Sequence, residues 1–204
     1  MAILDNVADH FQRKREAKAS SLPKAYIDVV YLSKLDLLIA KGSGQTITEI
    51  SAKIINRVNQ PLHVLIPHGT YFVSVGNHQN MVTRKKYKLT LSPLSTHVIN
   101  VSASCINANL PIPNEADQFS GVARVSKNAA QFLEASENED AMVIQAGLWA
   151  ITDSYTRTQI KSHLRIRRSY IDSLRSSDEG AAISDAQIDK AKEILNKLGI
   201  SNNL

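Results

Sequence analysis

Apolar and polar residues alternate in short runs between residues 26 and 108. Val29, Val30, Tyr31, Leu35, Leu37 and Ile39 open the series, and Ile47, Ile50, Ile54, Ile55 and Val58 continue it. Asn59-Gln60-Pro61 reads as a turn, because Pro and Asn punctuate strands. A run from Leu62 to Val73 follows, then Val82, Tyr87, Leu89 and Leu91 up to a break at Ser92-Pro93. His97, Ile99, Val101 and Ala103 close the series in strict alternation. Short alternating runs bounded by turn residues predict an antiparallel β-sandwich of Ig-like type.

The period changes on either side. Over residues 2–19, Ile3, Leu4, Val7 and Phe11 fall on one helical face, and Pro23 ends the segment. That helix is expected to dock its apolar face on the body or on a second chain. After Pro111-Ile112-Pro113 the spacing is helical over 127–136, 139–152, 156–175 and 184–199. Ser184 and Gln187 have capping-box spacing, and Gly199 is a helix stop. Strands followed by helices imply an α+β chain. The expected division is an N-terminal amphipathic arm (1–24), a β-sandwich (25–110) and a C-terminal helical subdomain (111–204) packed on it.

Composition narrows the function classes. The chain has 204 residues, 43% of them hydrophobic, which suffices for a core without metal or disulfides. It carries one cysteine, so no intramolecular disulfide forms. No apolar run is long enough to span a membrane, which predicts no integral membrane association. The first ten residues lack the basic-then-apolar pattern of a secretory signal. The expected location is therefore cytoplasmic; a surface or secreted placement would need a removed leader or a non-classical export route.

The net charge of +5 is unevenly spread: residues 46–113 carry six Lys/Arg against one Asp/Glu. Arg84, Lys85 and Lys86 form one basic cluster. Arg157, Lys161, Arg165 and Arg168 form a stripe along one helix, beside an apolar seam of Ile160 and Leu164. Such a face is ordinarily solvated, and it would also suit an anionic partner. Aromatic residues are only 5%, too few for a single-strand nucleic-acid platform.

Candidate chemistry gathers at two places. Cys105 ends the last expected strand, where sandwich and helices should meet. Gln145 lies inside an otherwise apolar helix, one turn before the only tryptophan, Trp149. A buried carboxamide is costly unless its donors and acceptors are paired, so Gln145 requires partners. The six histidines lack paired ligand spacing, and no Walker loop or dinucleotide fingerprint occurs. No metal and no cofactor are expected. His68, His78 and His97 are candidate proton acceptors, and the polar loop 76–80 is a candidate contact surface.

Cys105-Ile106 followed by Ile144-Gln145-x-x-Leu148-Trp149 and Ile151-Thr152-Asp153 resembles the thioester domains of Gram-positive surface adhesins. The resemblance covers roughly residues 100–200, including the late helix with Ile188, Ala191, Ile194 and Leu195. It implies that the Cys105 thiol and the Gln145 side chain condense, with loss of ammonia, to an internal thioester that acylates an amine. Met142, Leu148 and Trp149 would supply an apolar shell that slows hydrolysis. The resulting expectation is a non-enzymatic binding or assembly module. Its partner is a protein or a second copy of itself, giving a homo-oligomer. Two alternatives stand beside it: a self-assembling structural subunit without a thioester, and a Cys105-dependent hydrolase or transferase.

Overall fold

The computed structural model describes residues 2–46, 48–113, 115–164 and 183–204. The elements in chain order are α1 (Ala2–Ser20), β1 (Ile27–Asp28), α2 (Val29–Lys34), β2 (Leu38–Thr46), β3 (Glu49–Asn56), β4 (Leu62–Ile66) and β5 (Thr70–Ser74). They continue with β6 (Asn80–Thr83), β7 (Tyr87–Leu91), β8 (Thr96–Ile106), β9 (Gln118–Arg124), α3 (Lys127–Ala135), α4 (Ala141–Thr152), α5 (Arg157–His163) and α6 (Asp185–Lys197).

The expected Ig-like sandwich is not what forms. Six strands close into an antiparallel barrel in the order β2-β3-β8-β6-β5-β9. A separate sheet, β1-β4-β7, has a parallel β1–β4 pair and an antiparallel β4–β7 pair. Six helices complete the described residues. Alternation says which face of a strand is buried, but not whether the sheet turns back to meet its own edge. Here β9 makes the closure. It pairs with β2 through Gly42↔Phe119 and with β5 through Tyr71↔Ala123.

Register defines the lining. Ile50 pairs with Val101 and Ala52 with Ile99, so Ile50, Ala52, Ile54, Val101, Ala103 and Cys105 share the inward face. Phe72 pairs with Met81, and Met81 with Cys105, which extends that face around the barrel. Toward its end β8 is buried on both faces, from Ala103 to Ile106. There α4 packs on the strand, and α3 and α6 pack on α4. Asp140 caps α4 by accepting from the Met142 N–H at 2.8 Å.

The N-terminal helix forms, and the described residues of its expected apolar face do not dock on the body. Val7 and Phe11 face solvent, at 48% and 52% exposure. The side chains of Ile3 and Leu4 lie outside the description. The C-terminal half of α1 docks through polar contacts. Gln12 Nε2 donates to the Arg57 carbonyl at 3.1 Å, the Asn59 N–H donates to Glu16 Oε1 at 2.7 Å, and Arg15 pairs with Asp36.

Candidate functional site

Cys105 and Gln145 meet where β8 runs past the end of β3. The last β3–β8 pair is Glu49↔Ser102, after which the Ala103 N–H donates to the Thr48 carbonyl at 2.9 Å. Successive residues of a strand present their backbone groups to opposite edges, so Cys105 faces the same edge as Ala103, beyond the reach of β3. The Gln145 carboxamide takes the missing strand's place. Its Oε1 accepts from the Cys105 N–H at 2.9 Å, and its Nε2 donates to the Cys105 carbonyl at 2.7 Å. Leaving either buried backbone group unpaired would cost about 1–3 kcal/mol.

The thiol hangs from the residue whose backbone holds that amide. Cys105 is 1% exposed and Gln145 2%. The Cys105 Sγ lies 3.5 Å from the Met81 Sδ inside the barrel. Burial pushes the thiol from 9.0 up to about 12. Leu148 and Trp149 are buried beside Gln145 on α4, and Met142 is half-buried against the core.

The other sequence candidates are scattered. His68 Nε2 lies 2.6 Å from Glu137 Oε2. His78 Nδ1 is 2.9 Å from Asp117 Oδ1 but off the line of a hydrogen bond. His97 is in the exposed first half of β8. Among the described residues no group of His, Cys, Asp and Glu is arranged to hold a metal ion, and no helix is long and apolar enough to cross a membrane.

The two described residues of the basic stripe are paired. Arg157 bonds Asp185 at 2.9 Å and also Asp189, and Lys161 bonds Asp185 at 2.6 Å. Asp185 and Asp189 come from α6, and the hydrogen bonds from Lys161 and Arg157 hold the Asp185 carboxyl below its usual range. Arg165 and Arg168 lie outside the described residues. Lys85 and Lys86 are exposed. Arg84 is half-buried, donates to the Thr48 carbonyl at 2.9 Å, and lines a cleft of about 260 Å³ with Lys85 and Glu137.

A larger cleft, about 840 Å³, opens one helical turn beyond Gln145. Its lining includes Gln79, Leu110, Pro111, Ile112, Trp149 and His163. The loop 76–80 is tied into it. The Gln79 N–H donates to the Pro111 carbonyl at 2.9 Å and its Nε2 to the Leu110 carbonyl at 2.8 Å. Trp149, Tyr155 and His163 form an aromatic cluster with ring centres 5.0–6.0 Å apart. His163 Nδ1 lies 3.2 Å from the Gln159 carbonyl and its Nε2 lies 3.3 Å from the Tyr155 hydroxyl. Two buried polar atoms here have no hydrogen-bond partner among the described residues: Gln79 Oε1 and Trp149 Nε1. Sequence reasoning named Trp149 only as shell and Gln79 only as part of the candidate contact loop 76–80. The one available signal was a glutamine in a polar loop, which does not announce burial.

No family model, curated protein or solved structure matches the chain.

Proposed function

We propose that the chain is a non-enzymatic binding module in which Cys105 and Gln145 condense to an internal thioester that captures an amine. The observation that carries this reading is the paired hydrogen bonding of the Gln145 carboxamide to the backbone of Cys105. In the condensation, Cys105 Sγ attacks Gln145 Cδ, the Cδ–Nε2 bond breaks, and nitrogen leaves as ammonia with the thiol proton. In the capture step an amine attacks the same carbon, the C–S bond breaks, and the sulfur regains a proton as an amide forms. The Cys105 N–H already donates to Oε1, where negative charge would develop in both steps. The burial that raises the thiol makes unassisted attack slow, so the bond forms by slow maturation, and the apolar surroundings slow its loss to water.

The test is intact mass before and after methylamine. The untreated protein is expected to be lighter by one ammonia than its sequence. Methylamine should add to Gln145 and release the Cys105 thiol for alkylation, and Cys105→Ser should restore the full mass. A full untreated mass, with no methylamine adduct, rejects the covalent reading.

The same pairing also supports a second reading, since a Gln145 amide with both polar ends bonded to backbone is complete as a non-covalent joint. The chain would then bind or self-assemble through its surface alone. A Cys105-dependent hydrolase has the least support, because its nucleophile would need access and a lowered pKa, the reverse of this thiol.

A further inference from the structure

We infer that the cleft beside Trp149 is a binding site for an uncharged ligand that presents a secondary amide on an apolar body. The inference is independent of the thioester. Its volume, about 840 Å³, is that of a small-molecule site. Leu110, Pro111 and Ile112 give it an apolar wall, and among the described residues no Asp, Glu, Lys or Arg lines it. A charged ligand would therefore enter without a counter-charge.

The polar groups specify the rest. Trp149 and Gln79 are each 1% exposed, and each keeps one polar atom with no partner among the described residues. Trp149 Nε1 can only donate, and the remaining Gln79 atom, Oε1, can only accept. Gln79 is held in this orientation by its own donation to the Leu110 carbonyl. An amide complements the pair: its carbonyl takes the indole N–H and its N–H takes the glutamine oxygen. Both protein atoms are screened from solvent, so neither is compensated by bulk water, and binding includes a small opening of the wall. Buried groups left unpaired in the free protein and paired in the complex favour a ligand able to bond both over one lacking the donor.

The amide could come from a peptide or from an N-acetylated sugar, and the experiment separates them. Wild-type protein is titrated with N-methylisocaproamide, which has a single secondary amide, with methyl isocaproate, its ester analogue with no amide N–H, and with N-acetylglucosamine. Trp149 is the sole tryptophan, so its fluorescence reads the cleft directly, and calorimetry confirms the affinity. None of the probes carries a nucleophilic amine, so the result is blind to the thioester. Saturable binding of the methylamide, weakened about tenfold in the ester, supports a peptide source. Binding of the sugar alone supports the amide site with a saccharide source. Equal binding of amide and ester, or no saturable response to either amide, overturns the inference. Gln79→Met should weaken binding about tenfold. Since Gln79 is buried and its loss could disturb folding, Ile112→Asp serves as the second variant. Ile112 is 39% exposed, and a charge there should reduce affinity at least as much. Unchanged affinity in Ile112→Asp would place the binding elsewhere and overturn the assignment.

Discussion

A carboxamide can stand in for a strand, because it carries one N–H and one C=O in a single plane, as the backbone does. Gln145 does this for Cys105, which is why a polar residue persists in a helix buried from Val143 to Ala150. The pair was legible in the sequence because each member is anomalous there: one cysteine at a strand end, one glutamine in an apolar run. Gln79 was not, because its burial depends on a contact with Leu110 and Pro111 that no local pattern encodes. The buried thiol makes a prediction for protein in which Cys105 carries its proton. Folding holds it near 12 against an ordinary value of 9.0. Below the ordinary value both states are protonated and the thiol contributes no pH dependence. Above it the unfolded chain loses its proton while the folded chain keeps it, so stability falls as pH rises through this window. The loss is at most about 4 kcal/mol by pH 12. Denaturant midpoints measured at several pH values should fall more steeply for the thiol-bearing protein than for Cys105→Ala. Parallel curves would mean that the thiol ionises as readily folded as unfolded.

Helix ends were readable, since capping is local: Ser184 and Gln187 make the anticipated box at the start of α6. What crosses between helices was not readable, and Gly147 illustrates it. A glycine inside a helix costs about 1 kcal/mol relative to alanine, so its presence in α4 needs a tertiary reason. A β-carbon at Gly147 would fall within the ring of Phe132 on α3. Phe132 is fully buried, so its ring can shift only at the expense of neighbouring packing. Gly147→Ala therefore gains helix propensity and loses more in overpacking, for a net destabilisation of about 1–2 kcal/mol. Pairing it with Phe132→Leu should recover part of that loss, since the smaller side chain vacates the space. The coupling is measured as a double-mutant cycle in denaturant. Additive effects would show that the two positions do not compete for the same volume.

At the scale of the molecule, a sandwich and a barrel ask the same things of each strand. Ile50-Ala52-Ile54 and Val101-Ala103-Cys105 would alternate identically in either. The decision rests on β9, whose Phe119 enters the barrel opposite Gly42 and whose Gly121 takes a φ of 84°. That short segment, with one large buried side chain and a glycine, carries too little alternation to be read as a strand. Yet it joins the two halves of the chain. A single hydrophobic cluster runs from Ala19 through α2, the barrel lining, α3, α4 and α6 to Leu204. The sequence from Gln118 to Arg124 supplies a barrel strand immediately before the helices begin. The helices then cover the end of β8 through Gln145, so neither layer keeps its buried surface if the other leaves. The expected consequence is one cooperative unfolding transition. Trp149 fluorescence reads the helical layer, and far-UV circular dichroism reads strands and helices together. The two signals should share one midpoint in urea and one slope. If the fluorescence midpoint came first, with strand signal retained, the helices would be a separable layer and the barrel would stand alone. Coincidence would mean that the joint at Cys105 and Gln145 transmits the loss of either layer to the other.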